Sequence, residues 1–204
     1  MPQRTEVAAG AAPTLKEVLE HGLLRSVFQP VVDLETRRQV GFEALARGPE
    51  GTTLERPDHL FAAARSEGRL GELDAACQRM AVANADSIAI KSPLTLFVNA
   101  EPDEGGFGPM PQLARGVRGI VELTERTLTT RLAELLPAVQ SARERGWGIA
   151  LDDVGADTRS LALMPLLRPD VIKLDLRLIQ AQPTPAIAAM PAPSARRPSA
   201  PAPR

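Results

Sequence analysis

The feature that most limits what this chain can fold into is a unit that recurs in kind along its second half: a short β-rich apolar run, a polar residue at its C-terminal end, a loop, and a helical stretch. The runs are LTLFVN, GIVELTE, WGIALDD and DVIKLD, and between the last three lie TTRLAELLPAVQSARERG and RSLALMPLL, helical by periodicity. Pro137 is expected near a helix start, because a proline inside a helix costs about 3 kcal/mol. Strands alternating with helices mean mainly parallel β/α packing, and periodicity leaves an open sheet and a closed barrel both available.

Ahead of these units, Thr14 is a plausible N-cap for TLKEVLEHGLL, with Glu17 completing a capping box. SVFQPVVDL and QVGFEALAR, separated by the charged turn ETRR, read as an antiparallel hairpin. Two helical patterns follow, PDHLFAAARSEG and GELDAACQRMAVANADSIAI, the second placing Leu73, Cys77, Met80 and Val82 near one face. Residues 1–13 are small and polar and read as a disordered lead-in, so the ordered domain is expected over 14–180. Residues 181–204 contain 15 prolines and alanines among 24 residues and no acidic residue, a composition read as a disordered or extended tail.

With 44% hydrophobic and 24% charged residues and a formal net charge of −1, the chain has the makeup of a soluble protein of one domain. Near-neutral charge argues against a nucleic-acid polymer or an anionic membrane as partner, and no apolar run approaches the ~20 residues that span a bilayer. The single cysteine, Cys77, lies in an apolar stretch and is expected to be a reduced, buried thiol, which points to a cytoplasmic setting.

The polar residues at or near the strand ends are Glu43, Asn99, Glu122, Asp152, Asp153 and Lys173. In a β/α barrel such ends converge on one mouth. Several carboxylates gathered there either take up protons or are neutralised by a divalent cation, and oxygen donors suit magnesium, manganese or calcium. The pair Asp152-Asp153 could bridge two ions if the chain turns at Gly155, and two metals can clamp a phosphodiester and activate a bound water. An isolated acidic residue ending a strand is more often a helix cap or a solvated charge, so no single member of the set carries the argument. His21 and His59 lack metal-ligand spacing and read as surface or helix-end residues. Trp147 reads as packing, or as an aromatic near the mouth able to stack on a base. Gly105, Gly106 and Gly108 resemble a phosphate loop only superficially and read as a linker.

Taken in order, Glu43-Ala44-Leu45 with Ala46-Arg47, VNA around Asn99, VELTER around Glu122, LDDVGAD around Asp152 and DVIKLD around Lys173 resemble the successive motifs of the EAL domain family, and FQPVVDL resembles its opening strand. The resemblance covers about Leu15 to Gln180. It implies an α/β fold, a TIM-like (β/α) barrel with an antiparallel first strand, and metal-dependent hydrolysis of cyclic di-GMP to pGpG. By the same resemblance, Glu43, Asn99, Glu122 and Asp152 match metal ligands and Asp153 a ligand of the second metal, with Mg2+ or Mn2+ as the ions. Lys173 matches the lysine near the catalytic water, Glu125 the glutamate that steadies the loop after the aspartates, and Gln29 and Arg47 positions that approach the dinucleotide.

Two departures from the family pattern accompany these matches. The loop after the aspartates runs Asp153-Val154-Gly155-Ala156-Asp157, lacking the family's aromatic, which bears on loop support and its coupling to dimerisation. The family's last two strands, with an AEGVE-like motif and a glutamine-glycine pair, have no counterpart in this sequence. The expectation is therefore an incomplete barrel of about six of eight strands, a weakened second metal site and impaired turnover. A homodimer or a partner chain completing the barrel would cover the open edges. The change of composition at the tail is of the kind a frameshift, an early stop or an added regulatory tail produces. A catalytically inactive module that binds cyclic di-GMP, or another protein, is the alternative reading.

Overall fold

The computed structural model describes residues 12–87, 90, 93–101, 108, 110–155, 157 and 159–175. The lead-in up to residue 11, the tail 181–204 and Gly105-Gly106 lie outside the described residues.

Helix α1 (Leu15–Glu20) opens on the expected capping box: Thr14 Oγ1 accepts the Glu17 N–H at 3.3 Å, and Glu17 Oε2 accepts the Thr14 N–H at 2.8 Å. Strands β1 (Arg25–Val32) and β2 (Gln39–Arg47) pair antiparallel. Their connection is fixed by Asp33, whose Oδ1 accepts both the N–H and the hydroxyl of Thr36 at 2.7 Å. Helices α2 (Pro57–Ser66) and α3 (Leu70–Ser87) lead into β3 (Thr95–Asn99), β4 (Arg118–Thr124), β5 (Gly148–Val154) and β6 (Val171–Leu174). The strands form one sheet in the order β1-β2-β3-β4-β5-β6, parallel from β2 onward. Among the described residues β1 and β6 are not paired with each other, so the α/β fold is a TIM-like barrel with an antiparallel first strand, left open at six strands.

The central parallel strands β3, β4 and β5 are largely buried on both faces, which is why β3 reads as a continuous apolar run rather than an alternation. Toward the helices, Leu96, Val98, Val121, Leu123, Ile149 and Leu151 join apolar residues of α3, α4 (Glu125–Thr130), α5 (Leu132–Glu144) and α6 (Arg159–Leu167) in the main core. On the other face Phe97, Ile120 and Ala150 pack with Val31 and Val171. A third cluster joins α1, α2 and the start of α3.

Several expectations change. The stretch from Thr129 to Gly146 is not one helix: α4 and α5 are separated at Arg131, whose φ of −136° and ψ of 36° leave the helical region. Pro137 lies inside α5, in its second turn, where it removes only the bond to the Ala133 carbonyl while Leu135, Ala138, Val139 and Ala142 bury the packed face. Glu125, read as the end of a strand, is the first residue of α4, because Thr124 both ends β4 and caps the helix by accepting the Thr127 N–H. Val82 does not share the face of Leu73: nine residues along a helix is half a turn out of phase, so Leu73, Cys77 and Met80 pack with α1 and α2 while Val82 enters the main core. Among the described residues no helix is long and apolar enough to cross a membrane.

Candidate functional site

The concave face of the sheet is built in two layers by the two-residue period of a strand. Phe97 precedes Asn99, Ile120 precedes Glu122, Ala150 precedes Asp152 and Val171 precedes Lys173, each by two residues, so an apolar floor carries a polar ring directly above it. On β2 the floor position is Gly41, and it must be small: a Cβ there would lie 2.4 Å from the Thr95 carbonyl oxygen and 3.0 Å from the Phe97 ring. Gln29 stands opposite Glu43 in the β1–β2 ladder and is exposed.

The ring closes on one atom. Lys173 Nζ lies 3.0 Å from Glu43 Oε2, 2.8 Å from Glu122 Oε1 and 3.1 Å from Asp152 Oδ2. Asn99 Nδ2 donates to the other Glu43 oxygen at 3.4 Å. Glu122 is the deepest member, its side chain 1% exposed against 19% for Glu43, 20% for Asp152 and 29% for Lys173. Neither Glu122 oxygen has a directed hydrogen bond among the described residues; the contact with Lys173 is close but off the hydrogen-bonding direction. Burial pushes the Glu122 carboxyl up to about 7; Lys173 pulls it down, and Glu43 and Asp152 add to the rise. Burial works to lower the Lys173 ammonium, but Glu122, Asp152 and Glu43 outweigh it and hold the ammonium above its ordinary value.

Asp153 takes a different path from Asp152. Between the pairs Leu151–Ile172 and Val154–Leu174, β5 has two residues where β6 has one, and Asp153 adopts a φ of 54°. This is a β-bulge, a device that re-aims a side chain beside a site, and aspartate tolerates the left-handed region better than most residues. The chain therefore turns at Asp153 and not first at Gly155. Asp152 Oδ1 accepts the Asp153 N–H at 2.9 Å, and the exposed Asp153 side chain lines a cavity of ≈ 690 Å³ with Glu125, Arg126, Arg159 and Asp175.

The following loop is gathered by Glu125. One of its oxygens accepts the Gly155 N–H at 3.1 Å and the Ser160 hydroxyl at 2.5 Å; the other accepts the Asp157 N–H at 3.0 Å. Asp157 itself pairs with Arg159 at 2.6 Å, which holds its carboxyl below the ordinary value. Arg47 donates to the Ala46 carbonyl at 2.8 Å and lines a second cavity, of ≈ 290 Å³, between the ends of β2 and β3 and helices α2 and α3.

Sequence reasoning missed Asp74 and Ser160. Asp74 is 3% exposed in α3 and lines the smaller cavity; it accepts the Glu101 N–H at 3.0 Å and the Gln78 amide at 2.6 Å, tying the chain just beyond Asn99 to the helix. A carboxylate in the apolar run LDAACQRMAVA was the available signal. Trp147 is 2% exposed at the start of β5, opposite the mouth, and donates its indole N–H to the Pro111 carbonyl at 3.0 Å, so it packs and does not reach the site. His21 caps the end of α1, and His59 lies exposed in α2.

Three carboxylates and an amide are a donor set of the kind magnesium and manganese take, and one ammonium leaves the group a formal surplus of negative charge. As they stand, no three acidic, histidine or cysteine groups among the described residues are spaced around a metal-sized point. The point the carboxylates share holds the ammonium.

A family model described as EAL domain matches residues 13–190. The blue light- and temperature-regulated antirepressor BluF of Escherichia coli is 29% identical over 163 residues, covering 74% of this chain and 39% of BluF. The solved Klebsiella pneumoniae BlrP1 calcium/cy-diGMP complex superposes with a TM-score of 0.66 at 28% identity, over 78% of this chain and 41% of that one. The EAL domain of FimX from Pseudomonas aeruginosa, bound to c-di-GMP, shares the fold with a TM-score of 0.61 at 19% identity, over 81% of this chain and 71% of that one. The chain thus spans about two fifths of the length of BluF and BlrP1.

Proposed function

Since the chain belongs to the EAL domain family, we propose that it acts in cyclic-di-GMP signalling as a metal-dependent phosphodiesterase-type domain that binds cyclic di-GMP at the open mouth and hydrolyses it to pGpG. The observation that carries this reading is the convergence of Glu43, Glu122 and Asp152, from three different strands, on one cation at the C-terminal strand ends. The solved BlrP1 complexes with calcium or manganese and cy-diGMP, at 28% identity, support the same pairing of ligand and ion.

Glu43, Asn99, Glu122 and Asp152 would hold a magnesium or manganese ion, with Asp153 toward a second, weaker one; a bound ion supplies neutralisation of the phosphodiester and acidification of a water. The chain's own residues do the rest. Arg47, lining the ≈ 290 Å³ cavity, offers a planar fork to a phosphate, and Gln29 stands beside Glu43 on the edge strand. Glu125 holds the loop that follows the aspartates. The working unit is residues 14–180, with 1–13 and 181–204 outside it, and a cytoplasmic location suits the ligand.

One observation favours a second reading, binding without turnover. Asp153 lines a separate cavity and is not one of the carboxylates around Lys173, so the second ion has one ligand set apart from the rest. BluF, by its name an antirepressor, supports a regulatory role for a related chain.

Purified protein is incubated with cyclic di-GMP and Mg2+ or Mn2+, pGpG is followed by chromatography, and binding is measured by calorimetry beside E122Q. Product formation lost in E122Q supports hydrolysis. Binding without product supports the second reading, and absence of both refutes each of them.

A further inference from the structure

We propose that Arg25 is a positioning residue for the dinucleotide: it occupies Glu50 and Glu55, two carboxylates on the loop that follows Arg47, and so keeps Arg47 available to a phosphate. The inference deepens the reading of the mouth given above and rests on it, because it needs Arg47 to meet the ligand.

Arg25 opens β1 and Arg47 closes β2, and the antiparallel register sets them directly opposite each other. Because β1 runs against the other strands, its first residue stands at the mouth, beside their C-terminal ends. Paired residues leave the same face of a ladder with Cβ atoms about 5 Å apart, and like charges placed so are unfavourable unless one of them is neutralised. Here the neutralisation is one-sided. Arg25 Nη2 lies 3.2 Å from Glu55 Oε1 and Nη1 lies 3.4 Å from Glu50 Oε2, while Nε donates to the Gly48 carbonyl at 3.3 Å. Arg47 has no carboxylate partner among the described residues; its Nη1 donates to the neighbouring Ala46 carbonyl at 2.8 Å.

The loop itself brings the carboxylates there. At Gly48 the chain comes so close to Leu54 that a Cβ would lie 2.1 Å from the Leu54 carbonyl oxygen, and the Gly48 N–H donates to the Glu55 carbonyl at 3.1 Å. Glu55 Oε2 also accepts the Gly51 N–H at 2.9 Å. Glu55 is the stronger partner, its side chain 38% exposed against 81% for Glu50. Without Arg25, the cation across the ladder from that position is Arg47, and the freed carboxylates compete with a phosphate for its fork.

The test is calorimetric binding of cyclic di-GMP in Ca2+ to the wild type, R25M, R25K, R47M, R25M/R47M and R25M/E50Q/E55Q. R25M should bind on the order of tenfold more weakly, the scale of one charged hydrogen bond diverted. R25K, which keeps the charge, should stay within about threefold of wild type. The triple variant should regain most of the lost affinity, because neutral amides no longer claim Arg47. R25M/R47M should bind no more weakly than R47M alone, since both changes act through one guanidinium. Where pGpG forms, R25M should raise KM and leave kcat within about twofold. An unchanged dissociation constant in R25M overturns the proposal, and so does a triple variant as weak as R25M, which would make Arg25 a clasp for the loop and nothing more. R25Q, which can still donate to the Gly48 carbonyl, carries the same expectation and replaces R25M if that variant does not fold. If the wild type binds no cyclic di-GMP, or R47M binds it as well as wild type does, the reading of the mouth fails together with this proposal. If R47M is weakened and R25M is not, this proposal alone fails.

Discussion

Replacing Glu125 by alanine removes the acceptor for the Gly155 and Asp157 N–H groups, and one of the two acceptors within reach of the Ser160 hydroxyl, which also lies 2.7 Å from the Asp157 carbonyl. Glu125 is 3% exposed, so the donors it serves lose a buried partner. Hydrogen bonds to a charged group contribute about 1.5–3 kcal/mol each. The three share one carboxylate and are not additive, and water can reach the solvent side of the loop once the side chain is gone. We therefore expect a net loss of about 3 kcal/mol, concentrated in residues 153–160. That corresponds to a rise of about a hundredfold in the local opening equilibrium. Amide hydrogen exchange is the direct assay, with the Gly155 and Asp157 amides as reporters and the β3 amides as an internal reference. Glu125→Gln separates charge from shape: it keeps one oxygen but turns an NH2 group toward a donor, so it should lose nearly as much protection. Exchange at Gly155 and Asp157 within about threefold of wild type in both variants would refute the assignment of Glu125 as the anchor of this loop.

Gly41→Ala should destabilise the fold by about 1–3 kcal/mol in urea denaturation, because the added methyl meets the Thr95 carbonyl, which is backbone and cannot rotate away. Cys77 is half-buried, not buried as the sequence suggests, and lines the smaller cavity; its thiol is pushed up to about 12 by that burial first and then by the Asp74 charge, so it should react more slowly with iodoacetamide at pH 8 in the folded protein than in urea. The sign follows from the proton: the folded chain keeps it well above the pH at which an unfolded thiol, near 9, gives it up, so stability from this group falls as pH rises beyond about 9. Trp147, the single tryptophan, should emit at short wavelength when native and shift red on unfolding, and Trp147→Phe should lower stability by about 1 kcal/mol through loss of the Pro111 bond and further through the void the smaller ring leaves over Gly119.

The strands and helices were legible because their signals are local. Alternating blocks of apolar strand and amphipathic helix located β3 to β6, and the T-x-x-E pattern at Thr14 and Glu17 located α1. The break at Arg131 was not legible, because nothing in TTRLAELL distinguishes one long helix from two; docking onto the sheet decides it. The position of Pro137 was misjudged because a helix interior tolerates a proline when buried neighbours outweigh the lost bond. At the site, the sequence named the polar residues at the strand ends but not their partners. That three of the carboxylates meet on Lys173, that Asp153 leaves the ring through a bulge, and that Asp74 anchors the chain beyond Asn99 are tertiary facts, set by register and backbone torsion. Asp153 is the instructive case: two adjacent aspartates in an ideal strand point to opposite faces, and a non-glycine residue at φ 54° is invisible in the letters.

The stacked arrangement of floor and ring carries a consequence for how such a chain can change over time. Every residue of the ring is tied by a fixed offset to an apolar neighbour beneath it, so gain or loss of one residue within β4 would bring Val121 or Leu123 inward and send Glu122 among the helices, undoing function and folding together. The same event in the connection between β3 and β4 shifts no offset. Lengths between strands are thus free to drift while lengths within them are not, and variants that keep the ring should be found with altered loops and unaltered strands.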